Sequence, residues 1–303
     1  MKRGMCGSSL IQWPFRLVGT EAMAQPTEQK FPIACFLGIP LALIGSKQLI
    51  DIAVEWGKQD GLRRVYNANV HAIIFAYRHR DFMRYLQEAD MVFCDGYGVK
   101  FGAKMLGVNV PQRMTPPDWI DEFASAVAEA GQSVFALGDK EGVAYLFQRT
   151  LAAKHKGYLD AGSFHGFFDK TGPENDAVID RINSSGAVHL LVGFGMPLQE
   201  RWIEANRHRL NVKVVYPVGA LFRWYVGYEW RPPKWVTDHG LEWLTRLIRH
   251  PIRHFRRYVI GNSVFLARIF KARAGVGYTE PCPLDGQQNA EQAAAPLKER
   301  ASD

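Results

Sequence analysis

Short apolar runs alternate with longer amphipathic stretches between about residues 31 and 220. The amphipathic stretches, which predict helices, include Trp119–Ala130, Glu141–His155 and Gln199–Leu210. Apolar strands separated by helices indicate an α/β fold, with a Rossmann-like, mostly parallel sheet covered by helices on both faces. The runs that predict buried strands are Leu62–Tyr66, Met91–Cys94, Ser133–Leu137, Tyr158–Ala161, Val188–Phe194 and Val212–Pro217.

Polar and glycine residues follow most of these strands directly. In a parallel sheet the carboxyl ends of the strands share one edge, and ligands bind in the crevice beyond it. The pattern therefore predicts one cleft built from several loops. Its candidate residues, in chain order, are Asn67, Asn69, Asp95, Gly138, Gly193, Gly195, Pro197, Gln199, Glu200 and Gly219.

Asp95 is the sharpest single candidate for chemistry. It follows a buried strand and precedes Gly96-Tyr97-Gly98, where the backbone can approach a ligand closely. A carboxylate at the edge of a cleft can act as a general base. The alternative is a residue that caps the next helix or braces the turn.

The segment from Gly193 to Glu200 is the second candidate. Two glycines after a strand permit a tight turn, and Pro197 can open the following helix as its first residue. Backbone N–H groups at such a helix start could hold a phosphate, and Gln199 and Glu200 could hold sugar hydroxyls. The segment equally suits a plain strand-to-helix connection. Leu198 stands where a dinucleotide fingerprint needs its third glycine.

Two further groups of polar residues have open interpretations. Asn67 and Asn69 can donate and accept hydrogen bonds to hydroxyl groups, but turn asparagines share this pattern. Arg113 could pair with a phosphate or with an aspartate of the cleft. Asp118 is predicted to cap the helix that follows.

The composition changes after residue 220, and this change predicts a helical, basic, membrane-docking appendage over residues 221–273. Ten Lys or Arg residues between 231 and 273 face only Asp238 and Glu242, and tryptophans and other apolar residues lie among them. Such helices suit a membrane surface with anionic lipids. A solvated helical face is the simpler alternative, and no nucleic-acid motif appears. The basic residues are Arg231, Lys234, Arg246, Arg249, Arg253, Arg256, Arg257, Arg268, Lys271 and Arg273.

Net charge, cysteine spacing and the length of the apolar runs limit the kinds of partner and site that the chain can have. The formal net charge of the 303 residues is +7, which suits polyanionic partners without choosing among them. Four widely spaced cysteines without a C-x-x-C pair predict neither a zinc site nor a disulfide framework. No apolar run approaches the roughly 18 residues of a membrane span. Residues 1–30 are predicted to be a disordered leader, 31–220 the catalytic core and 274–303 a disordered tail.

Taken in order, these segments resemble the WecG/TagA/CpsF glycosyltransferase family over roughly residues 33–270. The core motifs are Asn67-x-Asn69, Asp95-Gly96-x-Gly98, Arg113 with Asp118, Leu137-Gly138, Gly193-x-Gly195-x-Pro197-x-Gln199-Glu200 and Val218-Gly219. The tail adds Arg231-x-Pro233-x-Trp235, Gly240-Leu241-Glu242-Trp243-x-x-Arg246-Leu247, Pro251-x-Arg253 and Arg257-Tyr258. One such motif is weak, whereas the ordered set is specific.

The resemblance implies a cytoplasmic, inverting, metal-independent transferase without a cofactor, peripheral on the inner face of the cytoplasmic membrane. It would move a hexose or N-acetylhexosamine from a UDP-sugar to a polyprenyl-diphosphate-linked sugar for a cell-surface polysaccharide. Asp95 falls at the place of the proposed base and Gln199 at that of an organising glutamine. The arginines expected to meet the diphosphate are Arg231, Arg246 and Arg253.

Departures from the family pattern suggest a subfamily with another donor or acceptor. Asn67 stands where members often have Thr, Pro116 where Gly is usual, and Arg223 where an Asp is thought to contact the ribose. A homo-oligomer stays open, because aromatic residues of the tail could pair subunits. The other function classes are a nucleotide-binding oxidoreductase, which lacks its fingerprint here, and a non-catalytic membrane or nucleic-acid adaptor.

Overall fold

The computed structural model describes residues 31–238, 240–249, 251–276 and 282. Within the helices, the side chains of Lys234, Asp238, Arg253, His254 and Arg257 are outside this description. The leader predicted for residues 1–30 lies outside the described residues, as does most of the tail predicted for 274–303. Arg253, a predicted diphosphate ligand, is described by its backbone alone.

A single sheet of eight strands forms the centre of the molecule, in the order β1-β2-β4-β3-β8-β7-β5-β6. All neighbouring pairs are parallel except β1 and β2, which form an antiparallel hairpin at one edge. The mostly parallel α/β sheet predicted from the hydrophobic pattern is therefore confirmed. The strands are β1 (Ile33–Phe36), β2 (Ile39–Ala42), β3 (Arg63–Ala68), β4 (Met91–Cys94), β5 (Ser133–Gly138), β6 (Leu159–Phe164), β7 (His189–Gly193) and β8 (Val214–Pro217).

The hairpin of β1 and β2 was not predicted. Pro40 lies inside β2 opposite Cys35, and a proline within an apolar run argues against a strand. The residue is tolerated because β2 meets its other neighbour, β4, only at the pair Ala42 and Phe93. Each strand is also only four residues long, too short for alternation to stand out.

Helices connect the strands and continue after the last one. The predicted helices are confirmed as α5, α6 and α8, although α8 ends four residues earlier than expected. A π-helical turn, Arg256–Ile260, joins the last two helices. The helices are α1 (Ser46–Trp56), α2 (Val70–Ala76), α3 (Arg80–Gln87), α4 (Tyr97–Met105), α5 (Pro116–Glu129), α6 (Val143–Lys154), α7 (Gly172–Ser184), α8 (Leu198–Asn206), α9 (Leu221–Tyr225), α10 (Lys234–Asp238), α11 (Glu242–Arg249), α12 (Pro251–Phe255) and α13 (Gly261–Arg273).

Both faces of the sheet are buried, as the continuous apolar strands predict. On β7, Leu190 and Val192 belong to one hydrophobic cluster, while Leu191 between them belongs to the other. The first cluster includes Phe82 of α3 and Trp202 of α8. The second includes Trp119, Phe123, Phe147 and Phe222, from α5, α6 and α9. Because both faces are covered, the loops at the carboxyl edge of the sheet remain as the accessible polar part of the core.

The last helix, α13, packs into the first of these clusters. Its Phe265 and Ile269 are 2% and 0% exposed, and both rest on Gly102 of α4. Phe265 also meets the ring of Phe36 edge to face, with 6.4 Å between the ring centroids. The residues before α13 are different, since several large apolar side chains of α11 and α12 face outward. Within the described part of the chain, no helix is long and apolar enough to cross a bilayer.

Candidate functional site

The carboxyl edge of the sheet gathers the residues that the sequence singled out. Asn69 follows β3, Asp95 follows β4, Gly138 ends β5, Gly193 ends β7 and Gly219 follows β8. These strands are parallel, so their ends lie along one edge. The arrangement is the crevice expected of an open α/β sheet.

Asp95 is tied to β3 and α2 on one side. Its backbone N–H donates to the Ala68 carbonyl at 2.9 Å, and Asn69 Nδ2 donates to Asp95 Oδ2 at 3.3 Å. Asn69 is also the N-cap of α2, because its Oδ1 accepts the Ala72 N–H at 2.9 Å. One asparagine thus begins a helix and orients the carboxylate of the neighbouring strand.

The pKa of Asp95 is raised to about 6. Burial of the carboxyl is the main cause, and the negative charge of Glu242 adds to it. Hydrogen bonds from Asn69 and Thr115 and the positive charge of Arg246 act in the opposite direction. A carboxylate with such a pKa is ionised near neutral pH and is a stronger base than a solvated aspartate, as general-base catalysis requires.

The segment from Gly240 to Arg246 lies over Asp95. Gly240 packs on the ring of Tyr97, two residues after Asp95, so closely that a Cβ would come within 2.7 Å of Cγ. In α11, Arg246 Nη2 donates to Glu242 Oε1 at 2.5 Å. The Arg246 guanidinium also lies 4.4 Å from the centroid of the Trp224 ring in α9. The C-terminal helices therefore bring a carboxylate and a guanidinium to the candidate base.

Arg113 and Arg231 share the carboxylate of Asp118. Arg113 Nη1 donates to Asp118 Oδ2 at 2.8 Å, and Arg231 Nη2 donates to Oδ1 at 2.6 Å. Arg113 also donates to the hydroxyls of Thr115 at 3.1 Å and Thr237 at 3.2 Å. Of the two partners expected for Arg113, the structure shows the aspartate. Asp118 lies in the first turn of α5, whose N-cap is Thr115, so the prediction that Asp118 caps the helix is wrong.

Gln199 and Glu200 lie buried at the start of α8. Gln199 Oε1 accepts the backbone N–H groups of Gly195 at 3.1 Å and Gly219 at 3.0 Å, and its Nε2 donates to Glu200 Oε1 at 2.8 Å. Burial raises the pKa of Glu200 to about 7. Its other oxygen, Oε2, has no hydrogen-bond partner among the described residues. Gln199 acts as an organiser of two loops, and its amide has little left for a sugar hydroxyl.

The glycines at the ends of β5 and β7 allow their backbones to touch. Gly138 has φ 146°, and a Cβ there would lie 2.6 Å from the carbonyl of Gly193. A Cβ on Gly193 would in turn lie 2.8 Å from the ring of Phe222. Beside this contact, the buried Asp139 binds Arg223 through two bonds, at 2.7 Å from Nε and 3.1 Å from Nη2. The arginine that departs from the family pattern is thus held by a partner one residue after Gly138.

Three predicted site residues have positions that differ from the expectation. Asn67 donates to the carbonyl of Pro217 at 3.0 Å, so it joins β3 to β8. β3 ends at Ala68, so Asn69 lies beyond the strand, at the N-cap of α2. Pro197 precedes α8 as its N-cap residue, instead of being its first residue.

Sequence reasoning did not select Thr115, Thr237, Glu242 or Asp139 as site residues. Thr237 and Glu242 come from helices more than 100 positions after Asp95, and their sequence context gives no sign of that contact. Thr115 lies between Arg113 and Asp118 in the sequence, so its contact with that pair could have been predicted. Asp139 follows Gly138 at a strand end, which is the same signal that selected Asp95.

Comparison with known proteins gives a consistent result. The model of the "Glycosyl transferase WecG/TagA/CpsF family" matches residues 34–277. Two relatives, from Staphylococcus aureus strains MRSA252 and MW2, are named N-acetylglucosaminyldiphosphoundecaprenol N-acetyl-beta-D-mannosaminyltransferase. Each is 25% identical over 69% of this chain and 80% of its own length. A nicotinate phosphoribosyltransferase structure from Vibrio cholerae matches at 13% identity over 65% of this chain and 50% of that one, and its TM-score of 0.22 carries no argument.

Proposed function

Because the chain belongs to the WecG/TagA/CpsF glycosyltransferase family, we propose that this glycosyltransferase moves a hexose or N-acetylhexosamine from a UDP-sugar to a polyprenyl-diphosphate-linked sugar. The single observation that carries the proposal is Asp95 at the carboxyl edge, with a pKa of about 6 and a guanidinium nearby. The names of the relatives support a lipid-diphosphate-linked sugar acceptor.

In the proposed mechanism, Asp95 accepts the proton of the acceptor hydroxyl as its oxygen attacks the anomeric carbon. The bond from that carbon to the UDP oxygen breaks on the opposite face, and the configuration inverts. Asn69 holds the carboxylate from one side, so it meets the hydroxyl in a fixed orientation. The new glycosidic bond forms with the proton left on Asp95.

Negative charge grows on the leaving diphosphate and must be neutralised. The N–H of Gly195 is already bound by Gln199, so the predicted backbone cradle loses that donor. We therefore assign the larger share to guanidinium groups. The positive charge of Arg246 acts directly on Asp95. Arg113 and Arg231 instead both bind the carboxylate of Asp118. Metal independence follows from this assignment as a prediction.

Membrane docking through the C-terminal helices is the second part of the proposal. Trp235, Ile248, Ile252 and Phe255 are 65%, 70%, 94% and 52% exposed. Arg249 lies among them, 3.8 Å from the centroid of the Trp230 ring. Large exposed apolar groups beside arginines fit the surface of an anionic bilayer, where the lipid-linked acceptor resides.

The test is acceptor-dependent release of UDP in the presence of EDTA, with a panel of UDP-sugars and lipid-diphosphate-linked sugars. We expect one donor to support release, and Asp95→Asn to lower the rate on the order of 100-fold or more. Asp180→Asn, at an exposed position in α7, is the matched control. Full turnover by Asp95→Asn would remove the base assignment.

Two other function classes would give different results in the same preparation. A nucleotide-binding oxidoreductase would bind NAD and not UDP, and an adaptor would bind DNA or membranes without releasing UDP. Steeply salt-dependent DNA binding would support the nucleic-acid adaptor. We propose neither, because the family match points to transfer of a glycosyl group.

A further inference from the structure

Thr115 occupies the N-cap position of α5 without capping the helix. Threonine at this position normally accepts a backbone N–H from the first turn. In the described chain, no N–H of α5 bonds to the Thr115 hydroxyl. The residue is only 8% exposed, so its hydroxyl is largely shielded from solvent. Pro116 and Pro117 have no N–H, and the N–H of Asp118 donates to the Thr115 carbonyl at 2.7 Å, so the buried hydroxyl finds no donor in the first turn and takes its partners outside the helix.

The backbone holds Thr115 beside Asp95. The N–H of Met114 donates to the carbonyl of Cys94 at 2.8 Å, which aligns the residues before Thr115 and Asp95. From the other side, Arg113 Nη1 donates to Thr115 Oγ1 at 3.1 Å. A hydroxyl has one proton, and the guanidinium supplies donors only. The hydroxyl proton is therefore available to be donated, and the neighbouring Asp95 carboxylate, whose pKa Thr115 lowers, is a group able to accept it.

We propose that Thr115 is a positioning residue for the base, with a hydroxyl that accepts from Arg113 and donates to Asp95. The inference rests on the proposed function, because it assumes that Asp95 takes the acceptor's proton. Its hydrogen bond favours the ionised carboxylate and fixes its orientation opposite Asn69. Thr115 itself contacts neither substrate, so it acts on turnover through Asp95.

The same chain of contacts reaches the C-terminal helices. Arg113 is oriented by Asp118 and by the hydroxyl of Thr237 in α10, and Asp118 also binds Arg231. This segment therefore helps to hold Arg113 against Thr115. Asn69 of the core contacts Asp95 on one side. On the other side, Thr115 is linked to the C-terminal helices through Arg113.

Other charged and titratable groups act near Asp95 and must be held constant. Glu242 and Arg246 of α11 act on Asp95 directly, and Lys100 and Arg113 act on the adjacent thiol of Cys94. Burial raises the pKa of that thiol to about 12, so Cys94 does not titrate near neutral pH. Thr115 has no charge of its own, so its substitution removes no charged group, and Thr115→Ser keeps the hydroxyl that accepts from Arg113.

The experiment compares Thr115→Val with Thr115→Ser in the full chain, measuring kcat and KM against pH. Without the donated hydrogen bond the pKa of Asp95 rises, so the acidic fall in kcat should move up by about half a unit to one unit. We expect Thr115→Val to lower kcat roughly tenfold at neutral pH with KM for the donor unchanged. Thr115→Ser should restore both the rate and the pH profile.

A purely structural role would give another pattern. Thr115→Val would then lower the melting temperature and leave the acidic limb where it is, and that result would overturn the proposal. Carbon-13 NMR titration of the Asp95 carboxyl provides a readout independent of activity. An unchanged Asp95 pKa in Thr115→Val refutes the positioning role while leaving the proposed function intact. Full turnover by Asp95→Asn refutes the assignment of the base and with it the role of Thr115, whereas absence of UDP release with every donor and acceptor contradicts the proposed function.

Discussion

The side-chain oxygen of Gln199 accepts the backbone N–H of Gly219 at 3.0 Å, twenty residues away in the chain. The same oxygen accepts the N–H of Gly195, so one amide joins the loops that follow β7 and β8. Both loops belong to the candidate cleft. The relationship explains why a buried glutamine belongs at this edge of the sheet.

Replacing Gln199 should therefore loosen two loops at once. Gln199→Ala leaves two backbone donors without their acceptor, at a cost of about 2–4 kcal/mol in the free energy of unfolding. Gln199→Glu keeps the acceptor, and below the Glu200 pKa of about 7 the protonated Glu200 can donate to the new carboxylate. Chemical denaturation at mildly acidic pH should rank Gln199→Glu above Gln199→Ala. Equal stabilities would show that the two N–H bonds contribute little.

The ion pair of Asp139 and Arg223 should be strongly coupled, because the carboxylate is buried. Arg223→Gln leaves the Asp139 charge without its cation, which should cost roughly 1–3 kcal/mol after allowance for the partly exposed arginine. Adding Asp139→Asn should recover part of that loss, as a double-mutant cycle by chemical denaturation would measure. Lys47→Gln breaks an exposed pair with Asp51 and should change stability by less than about 0.5 kcal/mol. Additive effects at 139 and 223 would contradict the coupling.

The contact between Gly138 and Gly193 should make the first position intolerant of any side chain. Gly138→Ala combines a φ of 146° with a Cβ 2.6 Å from the Gly193 carbonyl carbon, so we expect a loss of several kcal/mol and of activity. Gly131→Ala is the control, with φ 63° and nothing within 4 Å of its Cβ. It should cost only about 1–2 kcal/mol. Similar melting temperatures for the two variants would mean that the loops separate easily.

Glu200 should make stability depend on pH. Its folded pKa of about 7 lies above the value of 4.5 for a free carboxyl. The stabilisation from its protonated form is therefore complete below about pH 4.5 and is lost as the pH rises through about 7. Relative to Glu200→Gln, the free energy of unfolding should fall by a few kcal/mol over this range. Parallel pH curves for the two proteins would show that folding does not raise the pKa of Glu200.

Substitutions on the outer face of α11 and α12 should weaken binding to vesicles without unfolding the core. Ile248 and Ile252 are 70% and 94% exposed, so Ile248→Asp with Ile252→Asp removes apolar area that only a partner would bury. Co-sedimentation with phosphatidylserine-containing vesicles should fall at least about tenfold. Tyr145→Asp, at a 60% exposed position of α6, should bind as the unchanged protein does. Undiminished sedimentation of the double variant would contradict docking through this face.

The sequence predicts the sheet well and the composition of the cleft only in part. Each of the six predicted strands carries its own signal in a short run dominated by apolar residues, so β3 to β8 could be placed without tertiary information. The polar residues after them follow from strand direction alone. The contacts of Asp95 with Glu242 and Arg246 depend instead on how the C-terminal helices fold back. No local sequence pattern predicts how these helices pack against the loop of Asp95.

The same limit applies to individual roles. Arg113 was expected to meet a phosphate or an aspartate, and only the fold shows Asp118 between it and Arg231. Gln199 was expected to hold sugar hydroxyls and also, by resemblance, to organise the site; its hydrogen bonds join the loops that follow β7 and β8. The sequence pattern identifies which residue types lie at the edge of the sheet. How many of their hydrogen-bond donors and acceptors remain for a ligand depends on the neighbouring residues in the fold.

The packing of α13 has a consequence for how the chain matures on the ribosome. All eight strands are complete at Pro217, but Phe265 and Ile269, which cover Gly102 of α4, emerge some fifty residues later. At about 5–20 residues per second, the nascent core waits several seconds with an apolar groove open. During that interval the groove is a target for chaperones and a route to aggregation. Truncations that end before α13 should therefore accumulate as insoluble protein, even though they retain every strand.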